Sequence, residues 1–171
     1  MKIALINQEC EIEDSKLFGE VYLPNEWLEE DVFSPFEFFL CQLNLEQLKI
    51  PDLPQVGYLY FFVDAFSLTE SKMKAKVRYF SEEPDAYTDF NDGYFDCDLQ
   101  PILIKGEQNS LFQKNIEILN LVEVEGDRVK LLELPTKLLP FELNSEKMVF
   151  IIDKVELEKL NFAECRLVFI N

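Results

Sequence analysis

The chain repeats a pattern at a nearly constant spacing, and this limits its fold more than any other feature. Tyr58-Leu59-Tyr60-Phe61-Phe62-Val63 ends on Asp64, and Met148-Val149-Phe150-Ile151-Ile152 ends on Asp153. Upstream stand Gln42-Leu43 and Glu133-Leu134; downstream stand Val77-Arg78-Tyr79-Phe80 and Leu167-Val168-Phe169-Ile170. Asp64 and Asp153 lie 89 residues apart, Gln42 and Glu133 lie 91 apart, and Tyr79 and Phe169 lie 90 apart. Apolar runs of this length, bounded by turn residues, read as strands buried on both faces. The reading is an α+β, sheet-rich, mostly antiparallel fold. One domain, residues 1–171, holds two weakly similar halves related by a pseudo-twofold, with the repeat at about 36–80 and 128–171.

Other segments support a sheet. Lys72-Met73-Lys74-Ala75-Lys76-Val77-Arg78-Tyr79 alternates charge with apolar residues, so one face shows cations and the other buries Met73, Ala75, Val77 and Tyr79. The cations read as a solvated face paired with nearby carboxylates rather than an anion site. Lys2 to Ile6, Phe36 to Leu43 and Arg166 to Ile170 read as further strands, and Leu45 to Leu48 as one helical turn. Glu125-Gly126-Asp127 between two apolar runs reads as a hairpin. Asp153 to Leu160 reads as a short helix with Asp153 as N-cap. Residues 24–35 are expected to be irregular, and Asp85 to Asp98 to be a loop.

The chemistry available is narrow. There is no histidine among the 171 residues, so Ser/His/Asp and Cys/His catalysis and histidine metal triads are excluded. Cys10, Cys41, Cys97 and Cys165 are dispersed and read as reduced, mostly buried thiols. Five glycines and no Gly-rich motif leave no phosphate cradle. No cofactor and no metal is expected. Asp89, Asn91, Asp92, Asp96 and Asp98 form the densest acidic cluster, but counting back from Gly93 breaks the calcium-loop pattern. It reads as a solvated loop.

Thirty-three acidic residues against 16 basic ones give a net charge of −17, which argues against nucleic acid and anionic membrane partners. No apolar run approaches the roughly 18–20 residues of a membrane span. The first residues meet Asn7, Glu9 and Glu11 too early for a signal peptide, so a cytoplasmic location is expected. The charge is concentrated in two blocks, Glu20 to Glu46 and Glu82 to Asp98. If the fold brings them together, Glu82, Glu83, Asp85, Asp89 and Asp92 form a negative patch that suits a basic protein. A second candidate is a cleft where Gln42 and Glu133, equivalent in the two repeats, would face each other; buried hydrogen-bond anchoring is the plainer role for such residues.

Several of these segments together resemble the YwqG-like family, a bacterial domain of unknown function. Ser15-Lys16-Leu17-Phe18-Gly19, Leu23-Pro24 and Trp27 follow its opening pattern, with Leu28 where a second proline is usual. Gln42-Leu43-Asn44-Leu45 and Leu53-Pro54-Gln55-Val56-Gly57-Tyr58-Leu59-Tyr60-Phe61-Phe62 follow its central pattern. Asp153 to Phe162 resembles its closing segment. The resemblance implies a duplicated, sheet-rich α+β fold and supplies no catalytic residues. The expected function is a non-enzymatic binding protein that docks a basic protein, in the manner of an immunity protein. The alternative is a small-molecule or metal-ion binding protein, or a weak carboxylate-based enzyme, with a cleft between the halves.

Overall fold

Alternating and continuous apolar segments need partners on both sides, and the chain meets that need with one long antiparallel sheet. The computed structural model describes residues 2–64, 69–91, 99–106 and 117–171. Its strands are β1 (Lys2–Ile6), β2 (Lys16–Leu17), β3 (Val21–Leu23), β4 (Glu37–Asn44), β5 (Tyr58–Asp64), β6 (Lys74–Phe80), β7 (Ala86–Thr88), β8 (Ile102–Gly106), β9 (Glu117–Glu125), β10 (Arg128–Pro135), β11 (Lys147–Asp153) and β12 (Arg166–Ile170). Three short helices, α1 (Asn25–Glu29), α2 (Leu45–Leu48) and α3 (Lys154–Glu158), join them. Ten strands form one sheet in the order β12-β11-β10-β9-β1-β8-β2-β4-β5-β6; β3 and β7 form a second, two-stranded sheet.

Each end of the long sheet is a three-stranded meander. In one, β5 lies between β4 and β6; in the other, β11 lies between β10 and β12. Both meanders carry a register shift in their first strand, between Phe39 and Cys41 in β4 and between Lys130 and Leu132 in β10. In the first, the extra residue is Leu40, whose carbonyl accepts the Phe18 N–H at 3.0 Å, so its backbone is not left orphaned.

The sheet turns back so that the meanders face each other. Leu59, Phe61 and Val63 of β5 share one core with Met148, Phe150 and Ile152 of β11. The Phe61 and Phe150 rings meet edge to face, 5.1 Å apart, and Tyr79 reaches Phe162 across the same layer. The other face of β5, Tyr58, Tyr60 and Phe62, packs under Val21 and Leu23 of β3, with Trp27 and Phe33 completing that layer. This explains why Tyr58 to Val63 is a continuous apolar run: both of its faces are covered.

Some expectations need correction. Asp85 to Asp98 is not simply a loop, because Ala86–Thr88 pairs antiparallel with Val21–Leu23. The stretch expected to be irregular holds α1. Lys72 sits in a 3-10 turn, Glu70–Lys72, and the alternating strand starts at Lys74. Asp153 stands at the start of α3 but its side chain makes no capping bond. It binds Arg166 at 2.7 Å and Arg128 at 3.7 Å instead. The Asp153 carboxylate thus joins β11 to both of its neighbours, β10 and β12.

Candidate functional site

The small sheet decides where the acidic residues go. Its pairing sets Leu23 opposite Ala86 and Val21 opposite Thr88. The block that runs through Glu20, Glu26, Glu29, Glu30 and Asp31 therefore lies beside the one that runs through Glu82, Glu83, Asp85 and Asp89, and all nine carboxylates are exposed. Asp92 lies outside the described residues. Between the blocks stands Tyr87, 66% exposed, on the strand position opposite Tyr22.

These carboxylates are not equivalent. Asp85 accepts the backbone N–H of Asn25, the first residue of α1, at 2.8 Å. Asp89 accepts the Asn91 N–H at 2.8 Å, and the Asn91 amide pairs with both the N–H and the carbonyl of Phe39, at 3.0 and 2.9 Å. Asn91 thus fixes the bulged stretch of β4 and is not part of an open acidic cluster. Glu83 lies close to the Tyr22 and Tyr58 phenols. Burial first, then this carboxylate, hold both phenols above their usual pKa range. Glu82 has no hydrogen-bond or ion-pair partner among the described residues.

Gln42 and Glu133 do not meet. The Gln42 side chain is buried and fully engaged: its carbonyl accepts the Tyr22 N–H at 2.8 Å, and its amide donates to the carbonyls of Ile12 and Asp14, each at 2.9 Å. Glu133 binds Lys147 at 2.7 Å on the other meander. Gln42 therefore anchors the segment before β2 to β4, aided by Asn44, whose amide donates to the Glu13 carbonyl at 3.2 Å.

Two features went unread in the sequence. Lys16 is only 3% exposed, donates to the Ile12 and Glu11 carbonyls at 3.0 and 3.3 Å, and has its pKa lowered by burial. It borders a cavity of about 270 Å³ together with Cys10, Glu20 and Asp89. The only sequence signal was its place in the Ser15-Lys16-Leu17 segment. The second feature is a cavity of about 640 Å³ between β6 and the segment that enters β12, lined among the described residues by Lys74, Lys76, Arg78 and Arg166 and by no carboxylate. The alternation of Lys72 to Arg78 hinted at it, but nothing local in the sequence indicates that Arg166 joins the same cavity.

Other chemistry is sparse. Cys41 and Cys165 are buried free thiols; burial pushes Cys165 up to about 12 and holds Cys41 well above the usual thiol range. Cys97 lies outside the described residues. Among the described residues no three His, Cys, Asp or Glu side chains are grouped to hold a metal ion. No described helix is long and apolar enough to cross a membrane.

No curated protein matches the chain. Residues 15–148 match the domain of unknown function DUF1963, which takes in β2 through the first strand positions of β11 and thus the small sheet, Gln42 and β6. The chain belongs to the DUF1963 family.

Proposed function

We propose that this is a non-enzymatic binding protein that docks a basic protein through the acidic face around β3, α1 and β7. The observation that carries the reading is the β3–β7 pairing, which merges two acidic blocks separate in sequence around the exposed ring of Tyr87. Aromatic anchors ringed by charge are what binding hot spots use, and a ring among carboxylates suits Lys or Arg side chains. An immunity-like role, in the cytoplasm, fits this chemistry. The sequence features that resemble the YwqG-like family, and the matched register shifts in β4 and β10, support reading the two meanders as copies of one ancestral unit related by a pseudo-twofold.

Charge reversal tests the docking. Asp85 holds the start of α1 and Glu83 lies beside two phenols, so the reversals belong at Glu26, Glu30 and Glu82, with Tyr87→Ala as a separate variant. Surface-capture kinetics against a partner co-purified from the native cell should show an on-rate that falls about tenfold or more for the triple reversal at low salt. Tyr87→Ala should raise the off-rate. Unchanged rates for both variants overturn the reading.

A further inference from the structure

The cavity between β6 and β12 has an unusual wall. On one side it touches six consecutive residues, Met73 to Arg78, and on the other Cys165, Arg166 and Leu167 in a row. Neighbouring side chains on a strand point to opposite faces. A cavity that touches every residue in turn therefore lies along the strand's edge, not against a face. Among the described residues both strands are terminal: β6 pairs only with β5, and β12 only with β11. Such edges present unpaired backbone N–H and C=O groups.

The charge here opposes that of the rest of the molecule. In a chain of net charge −17, four cations and no carboxylate line this slot among the described residues. Arg78 is held by Glu37 and Arg166 by Asp153. Lys74 and Lys76 have no hydrogen-bond or ion-pair partner among the described residues. They stand on one face of β6, two residues apart, while Ala75 and Val77 of β6 and Leu167 of β12 lie on the core side.

We infer that this slot is a binding site for an extended acidic segment of another protein, which pairs with the free edge of β6 as an added strand. The backbone edge supplies main-chain hydrogen bonds, and side-chain alternation supplies selectivity. The segment carries Asp or Glu at every second position, opposite Lys74 and Lys76, and apolar residues at the positions between. Another copy of this chain is a poor occupant, because two bodies of net charge −17 repel. The site has the opposite sign to the acidic face and is lined by none of its carboxylates among the described residues, although Arg78 also reaches the Val32 carbonyl beside that face.

The probe is the capped peptide Glu-Val-Glu-Val-Glu-Val-Glu. Titrated into isotope-labelled protein, it should shift the amide resonances of residues 73–78 and 165–168. The double variant Lys74→Glu, Lys76→Glu should weaken binding about tenfold or more. Lys74→Gln, Lys76→Gln serves if the reversed variant does not fold, and should weaken it less. Two further peptides have the same charges but carry N-methyl groups on one or the other alternate set of residues. Loss of binding for at least one of these two supports strand addition, because the charges are unchanged while one set of backbone donors and the strand edge that carries it are blocked. Binding of both methylated peptides as tight as that of the unmethylated parent reduces the site to general anion attraction and overturns the inference. So does binding by the Lys-Val analogue, shifts confined to other residues, or no binding at millimolar peptide. In that last case the lysines act only as guards that keep foreign strands off the edge.

Discussion

Arg78 grips Glu37 with both arms of its guanidinium, at 2.6 and 2.9 Å, and the Glu37 side chain is only 1% exposed. The same guanidinium donates to the Val32 carbonyl at 3.2 Å and lies over the rings of Phe33 and Phe62, at 4.5 and 5.3 Å from their centres. One side chain thus ties β6 to the start of β4 and to the segment that covers β5. Arg78→Ala should destabilise the protein by roughly 3–5 kcal/mol in denaturant melts, because it leaves a buried carboxylate without its partner. Arg78→Lys should recover only part of this, since an ammonium cannot make the two parallel bonds or stack on the rings.

Tyr60 and Phe61 are neighbours with opposite expected sensitivities. Both are fully buried, but among the described residues the Tyr60 hydroxyl has no hydrogen-bond partner. Tyr60→Phe should be neutral or stabilising by up to roughly 1 kcal/mol, because it removes a desolvated polar group. Tyr58→Phe should cost about 1 kcal/mol, because the Tyr58 hydroxyl bonds the Asn44 amide at 2.9 Å. Phe61→Ala or Phe62→Ala should cost roughly 3–5 kcal/mol, since each ring is fully buried against other aromatic rings. Chemical melts of the four variants rank these effects.

How far the fold was legible depends on strand length. Tyr58–Asp64, Lys147–Asp153 and Arg166–Ile170 were readable because five to seven residues carry a clear run or alternation. Val21–Leu23 and Ala86–Thr88 have only three residues each and show no period, and Asp and Glu around Ala86 favour a loop reading. Yet this short pairing is what joins the acidic blocks, so the acidic face was legible in charge and not in geometry. Gln42 and Glu133 show the reverse: their matched positions suggested a shared cleft. Gln42 bonds to backbone on both sides of β2 and Glu133 to Lys147, and neither choice of partner is encoded locally.

Glu70 links the meanders and should be felt as acid sensitivity. Its carboxylate accepts the Ser145 N–H at 2.8 Å and the Ser145 hydroxyl at 3.0 Å. The Ser145 N–H, more than the hydroxyl, holds the folded pKa below the ordinary value of 4.5. As pH falls, the unfolded chain therefore takes up this proton before the folded one does. The stabilisation is present above about pH 4.5 and is lost as pH drops through the folded value. Glu70→Gln should lower stability at neutral pH and flatten its fall below pH 4.5, read as melting midpoint against pH. An unchanged slope would remove Glu70 from the set of groups that make the protein acid-sensitive.

Gly57 and Gly126 both have positive φ, 83° and 60°, but only Gly57 is also crowded. A Cβ at Gly57 would press on the Phe80 carbonyl oxygen and lie 2.8 Å from the Ser81 Cα, both backbone atoms that cannot swing away. The Gly57 carbonyl meanwhile accepts the Leu45 N–H at 2.9 Å, so the turn cannot shift without loosening the start of α2. At Gly126, in the tight turn between β9 and β10, nothing lies within 4 Å of the added carbon. Gly126→Ala should therefore cost only the left-handed backbone penalty, about 1 kcal/mol. Gly57→Ala adds displacement of β6 from its neighbour and should cost clearly more, roughly 3 kcal/mol or above. Paired denaturant melts decide this, and equal losses would mean that the approach of Gly57 to Phe80 is not what this position requires of glycine.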